Sequence, residues 1–181
     1  MTKWILEDHF LTLTTHWVTL IGEHYTDHRG KRLEYYRAER SDSVIVLPIQ
    51  ENTLLCAPRT FRPGVGESTL DFPGGRVDAN SVEETAQRIL LRELDLTADM
   101  LQDLELMNNR GWPVDSSFSD QRLFGAVARI RPEAAPQGAV ERFPLTSDGQ
   151  ADLLRELECA QCRLVLLQFL HAKGGAEKFS I

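Results

Sequence analysis

Residues 71–96 read DFPGGRVDANSVEETAQRILLRELDL. The Pro73-Gly74-Gly75 turn runs into a capping box, in which Ser81 caps a helix starting at Val82 and Glu84, three residues on, returns a bond to the cap backbone. At about 100° per residue, Val82, Ala86, Ile89, Leu90 and Leu94 share one broad stripe, so this helix lays an apolar face on a core. Glu93 falls inside that stripe. A carboxylate there needs a partner, because burying one unpaired is costly: a metal ion, an arginine, backbone donors of a neighbouring loop, or water at a frayed last turn.

Upstream of this stretch, SVIVLP (43–48) reads as a buried strand, Gln50-Glu51-Asn52 as a polar turn, and the residues after it as a second strand. Arg62-Pro63-Gly64-Val65-Gly66 is a loop by its Pro and Gly content, and STLDF is a short strand. Further back, WVTLIGEHYTD and KRLEYYRAER flank the turn-like Asp27-His28-Arg29-Gly30 and read as a hairpin. Downstream, LELMNNRGWP reads as a strand and turn, QRLFGAVARI as a strand, and RPEAAPQGAVERFPL as a Pro-rich connector. Helical spacing returns over 148–171 with a break near Cys159, and AKGGAEKFSI reads as a loose tail. Strand-like and helix-like stretches thus alternate without an internal repeat, which points to an α+β or α/β domain.

The whole chain sets the outer limits. Its 181 residues, 42% hydrophobic, suffice for one domain with a real core and an extra N-terminal element. Twenty Lys and Arg against 27 Asp and Glu give a net charge of −7, which argues against a general nucleic-acid or anionic-membrane surface and leaves room for a local basic pocket. No apolar run is long enough to span a bilayer and the N-terminus has no signal-peptide pattern, so the expectation is a cytoplasmic protein. Three cysteines, Cys56, Cys159 and Cys162, fit a reducing compartment. The Cys159-x-x-Cys162 pair has no second ligand pair for zinc, and it reads as two small residues within one C-terminal helix; a redox role would call for a thiolate stabilised at a helix start.

FPGGRVD followed by a capped helix and preceded by an Arg-Pro-Gly loop resembles the Nudix hydrolases, whose box reads G-x5-E-x7-R-E-U-x-E-E-x-G-U with U apolar. ERSDSVIVLPI, RTFRPGVGESTLDFPGG, SSFSDQRLFGAVARI and CAQCRLVLLQFL extend the resemblance to ADP-ribose pyrophosphatase-like members. The resemblance implies the Nudix fold, a mixed β-sheet sandwiched between helices (α/β/α), with an N-terminal extension and β-hairpin over 1–42, the Nudix domain over 43–171 and a tail over 172–181. It also implies hydrolysis of a nucleoside diphosphate linked to another moiety, such as ADP-ribose, with Mg²⁺ or Mn²⁺ as cofactor, and a homodimer through the N-terminal hairpin that nothing in the sequence itself fixes.

Carried over residue by residue, the box is degenerate. Anchoring on the cap puts Arg88 at the box arginine, Ile89 at the glutamate after it, Arg92 and Glu93 at the acidic pair, and Asn80 near the early glutamate. A rival register puts Glu84 at the early glutamate, Arg92-Glu93-Leu94 at the Arg-Glu-apolar triplet, and Leu96 and Thr97 at the acidic pair. The first keeps the cap where the family's helix begins and is preferred. Either way Glu93 is the surviving metal-binding and catalytic glutamate, and the Gly74 carbonyl is the implied backbone ligand. Asp71, Asp78, Glu133 and Glu141 are the acids available to compensate, with Pro136-Gln137-Gly138 standing where relatives carry an acidic cluster. Arg59, Arg62 and Arg92 are candidate phosphate-binding residues, since guanidinium forks match phosphate oxygens, and Trp112 or Phe118 are candidates to stack on a base. Two expectations stay open: a divergent hydrolase of weak or lost activity, and an inactive module of regulatory role that binds a nucleotide or a protein.

Overall fold

The computed structural model describes residues 3–78, 81–136 and 140–178. Among these residues twelve strands and three α-helices follow one another as β1 (Ile5–Thr14), β2 (Thr19–Thr26), β3 (Arg32–Glu39), β4 (Ser43–Gln50), β5 (Thr53–Cys56), β6 (Thr60–Arg62), β7 (Glu67–Thr69), β8 (Gly74–Arg76), α1 (Val82–Leu94), β9 (Leu101–Leu106), β10 (Trp112–Pro113), β11 (Arg122–Ile130), β12 (Glu141–Pro144), α2 (Ser147–Glu156) and α3 (Ala160–Lys178).

The alternation of β4 organises the core. Ile45, Leu47 and Ile49 point to one face, where they meet Leu153 and Leu157 near α2 and Val165, Leu166 and Phe169 of α3. Val44 and Val46 point to the other, where they meet Ala86, Ile89, Leu90 and Leu94 of α1. A strand buried on both faces needs the continuous apolar run that SVIVLP supplies, and it needs helices on both sides. The result is an α/β/α sandwich around a mixed sheet of order β10-β11-β4-β5-β12, in which β11 and β4 run parallel and β8 and β9 add antiparallel partners. The N-terminal strands form a separate antiparallel sheet, β1-β2-β3.

α1 begins at Val82 with half of the capping box: the Ser81 hydroxyl accepts the Glu84 N–H at 3.1 Å, whereas no return bond from the Glu84 side chain is made among the described residues, and the helix ends at Leu94 with Asp95 in the left-handed region. Leu96 and Thr97 therefore lie beyond the helix, which removes the rival register's acidic pair from it.

Four elements differ from the sequence reading. β1 precedes the hairpin and makes it a three-stranded sheet. The Gly-Gly turn is also a strand, pairing Gly74 with Ile45 and Gly75 with Val44. Part of the Pro-rich connector becomes the edge strand β12 on β5. The supposed tail continues α3 to Lys178, because its Ala, Gly, Glu and Lys residues carry no proline to stop the helix. No helix among the described residues is long and apolar enough to cross a membrane.

Candidate ligand site

The C-terminal end of α1 and strand β8 face each other across the Gly-Gly turn. Arg92 donates from Nη2 to the Gly74 carbonyl at 3.1 Å, and the same nitrogen pairs with the Glu93 carboxylate. A guanidinium thus joins the two groups that the resemblance makes metal ligands. Gly75 permits the approach: a Cβ there would come within 3.4 Å of Arg92 Nη2 and 3.2 Å of Ile89 Cδ1. Glu93 is only 25% exposed, so the carboxylate on the apolar stripe has the partner its position requires, and that partner is Arg92, itself 59% exposed.

Three of the four other acids in question are tied to arginines too, while Glu133 lies exposed just beyond the end of β11. Asp71 Oδ2 accepts from Arg62 Nε and Nη2 at 2.9 and 2.7 Å and from Thr69 Oγ1 at 2.9 Å. Asp78 pairs with Arg88, and Glu141 pairs with Arg59, which also reaches Glu156 at 2.7 Å. Asn80, Gln137 and Gly138 lie outside the described residues. Magnesium takes several oxygen ligands in near-octahedral order and is usually held through carboxylates. One carboxylate and one carbonyl, already joined by a guanidinium, do not fit that ion.

The larger opening lies next to this pair. A cavity of about 510 Å³ is lined by Arg40, Arg62 and Arg76, by Gly74 and Gly75, and by Asp71, Glu158, Cys159 and Cys162. That volume lies within the range of small-molecule sites. A second cavity of about 340 Å³, containing Arg92 and Glu93, shares Arg62, Thr69, Asp71, Phe72 and Gly74 as a common wall. Arg40 and Arg76 have no carboxylate partner among the described residues; Arg76 stacks on Trp17 with its Cζ 4.7 Å from the ring centre and donates to the His16 carbonyl at 3.3 Å. Two residues of the cavity wall, Gln121 and Ser43, each keep a buried oxygen, Gln121 Oε1 and Ser43 Oγ, without a hydrogen-bond partner among the described residues. Orphaned buried acceptors are rare and mark places where a water or ligand belongs.

α3 presents its N-terminus to the same cavity. Cys159 immediately precedes the helix and Cys162 lies in its first turn, so the pair is not contained within one helix as the spacing suggested. A hydrogen bond from the Cys162 thiol and the backbone N–H groups of Cys162 and Gln161 lower Cys159 to about 6; the Cys162 thiol is pushed up by sharing that bond and by burial. Cys162 Sγ lies 3.7 Å from Asp71 Oδ1. Asp71, Cys159 and Cys162 form the only group of three His, Cys, Asp or Glu ligand atoms within 4.8 Å of one another among the described residues, and Glu93 is not part of it.

The sequence candidates therefore divide. Arg62, Arg92, Glu93 and Gly74 come together along the cleft, whereas Arg59 lines neither cavity and is held by two carboxylates. Trp112 packs against the core beside α3, and Phe118 lies in a loop that hydrogen-bonds β3 through its carbonyl to Ala38 N–H. The sequence reading missed Arg40, Arg76, Ser43 and Gln121 as wall residues. Arg76 carried a signal, since it follows the Gly-Gly turn directly.

No family model matches the chain, and no curated protein matches it. Among solved structures, the crystal structure of an ADP compounds hydrolase superposes with a TM-score of 0.79 at 21% sequence identity, covering 97% of this chain and 97% of that one. With its mixed sheet between α1 on one face and α2 and α3 on the other, the chain has the Nudix fold of ADP-ribose pyrophosphatases.

Proposed function

We propose that the chain is a Nudix-fold module that binds a nucleoside diphosphate derivative, with ADP-ribose as the first compound to try, and that magnesium-dependent hydrolysis is weak or lost. The observation that carries this reading is Arg92, whose guanidinium bridges Glu93 and the Gly74 carbonyl. A tethered cation at that point neutralises a carboxylate as a metal would, but it offers no bound water to attack phosphorus. Binding is supported separately by the cavity of about 510 Å³, by the guanidinium groups of Arg40 and Arg76, and by the unsatisfied Gln121 and Ser43 oxygens. Guanidinium donors suit diphosphate oxygens, and the orphan acceptors suit hydroxyl or amine donors of a sugar or base. The solved neighbour's description as an ADP compounds hydrolase supports the same ligand class. Titration calorimetry with ADP-ribose in the presence of chelator, paired with a phosphate-release assay in Mg²⁺ or Mn²⁺, tests the reading: binding without turnover supports it, and no binding overturns it.

The reading includes a homodimer. All ten residues of β1 are exposed, among them Ile5, Leu6, Phe10, Leu11 and Leu13, and among the described residues β1 pairs on one edge only. An apolar patch with an open strand edge is what a second copy would cover.

A further inference from the structure

The cavity wall contains chemistry that nucleotide binding does not use. Cys159 stands at the start of the 19-residue α3, half-buried and lining the cavity, while Cys162, 2% exposed, sits behind it with Sγ 3.7 Å from Asp71 Oδ1. Residues three apart across a helix start are neighbours in space, so two such sulfurs can bond without unfolding the helix. Arg62 and Thr69 occupy Asp71 Oδ2, which leaves Oδ1 turned to the thiol. Gln121, a residue of the same wall, keeps its Oε1 buried and unpartnered, an independent sign that a donor is missing at this side of the cavity.

We propose that Cys159 and Cys162 are a redox-active dithiol that exchanges with small-molecule disulfides entering the cavity. Cys159, as thiolate, attacks one sulfur of the disulfide; the S–S bond breaks, one thiolate leaves, and a mixed disulfide forms on Cys159. The Cys162 thiol then gives its proton to Asp71 Oδ1, and its sulfur attacks Cys159 Sγ. The second thiolate leaves and takes up that proton. Two electrons pass from the protein dithiol to the incoming disulfide, leaving a Cys159–Cys162 bond, one small thiolate and one small thiol. Cys56 takes no part: it is fully buried, and burial pushes its thiol up to about 12.

This assignment is independent of nucleotide binding and has its own test. The reduced full chain is mixed with dithiobis(nitrobenzoate), the coloured thiol is counted, and the protein mass is measured. The expected result is rapid release of two coloured equivalents per chain with no adduct left on the protein, because the second cysteine displaces the first label. Cys162→Ser releases one equivalent and keeps the adduct. Cys159→Ser loses the fast phase, reacting at least about tenfold more slowly through the buried Cys162. Asp71→Asn slows the second release relative to the first. A wild-type chain that retains the adduct overturns the proposal whatever the variants do. So does a fast thiol that survives in Cys159→Ser. Thiols that stay silent until a chelator strips a bound metal overturn it as well, and identify a soft-metal site instead.

Discussion

At the scale of single residues, Arg92 sets the character of the site. Its Nη2 satisfies a backbone carbonyl and a half-buried carboxylate at once, so Glu93 is compensated within its own helix turn. Changing the sign of that side chain should change the chemistry. Arg92→Glu sets two carboxylates beside the Gly74 carbonyl, and the expected outcome is Mn²⁺ binding that the wild-type chain lacks, read by calorimetry or by paramagnetic broadening of nearby resonances. On the cavity wall, Arg76 has no carboxylate partner among the described residues and is held in place by Trp17 and the His16 carbonyl. If it contacts a diphosphate, Arg76→Ala removes a charge-assisted hydrogen bond of about 1.5–3 kcal/mol, so ADP-ribose affinity falls roughly 10- to 100-fold in the same titration. An unchanged affinity would take Arg76 out of the site.

At the scale of elements, α1 positions Arg92 and Glu93, and it is held by its cap and its core face. Ser81→Ala removes the bond to the Glu84 N–H and should lower stability by about 1 kcal/mol. Leu90→Ala opens a void in a fully buried position and should cost roughly 2–5 kcal/mol, both read from urea unfolding midpoints. This helix was legible in the sequence because cap, stripe and end all lie within one contiguous stretch. β1 was not, since bulges between Leu6 and Asp8 and between His9 and Leu11 break the two-residue alternation that marks a strand. β8 was hidden for another reason: two of its three residues are glycine, which carry no side-chain pattern at all. The break before α3 was placed near Cys159, but the direction of the thiol depended on a helix start that no Gly or Pro announces. The cavity itself draws on Arg40, Ser43, Arg62, Arg76, Gln121 and Cys159, and only tertiary folding brings those segments together.

At the scale of the whole molecule, the N-terminal sheet adds a buried charge and an exposed apolar strand. Glu23, 1% exposed, accepts from Arg37 Nε and Nη2 at 2.9 and 3.0 Å and from the Tyr25 hydroxyl at 3.0 Å, with His9 Nε2 at 2.9 Å. The Arg37 hydrogen bonds hold its carboxyl below the usual carboxylate range. A group whose folded pKa is depressed contributes stability above its unfolded pKa, near 4.3. That contribution is lost as the pH falls through the lower folded value. Acid unfolding of Glu23→Gln, followed by circular dichroism, should therefore show a shallower loss of stability below about pH 4 than the wild type. The exposed edge strand of this sheet, β1, bears on assembly. Sedimentation velocity should give a dimer for the native chain and a monomer for Ile5→Glu with Leu13→Glu, whereas a native monomer removes the dimer from the account.

In the proposed function the Arg92 guanidinium takes the place that a metal ion would hold in a hydrolase, beside a cavity proposed to bind a nucleoside diphosphate derivative. The most direct measurement is turnover of ADP-ribose in saturating Mg²⁺ or Mn²⁺, run on protein whose ADP-ribose binding has been established by calorimetry in chelator. The account predicts binding without metal and phosphate release no faster than the enzyme-free blank. Metal-dependent release that Glu93→Gln abolishes would contradict it.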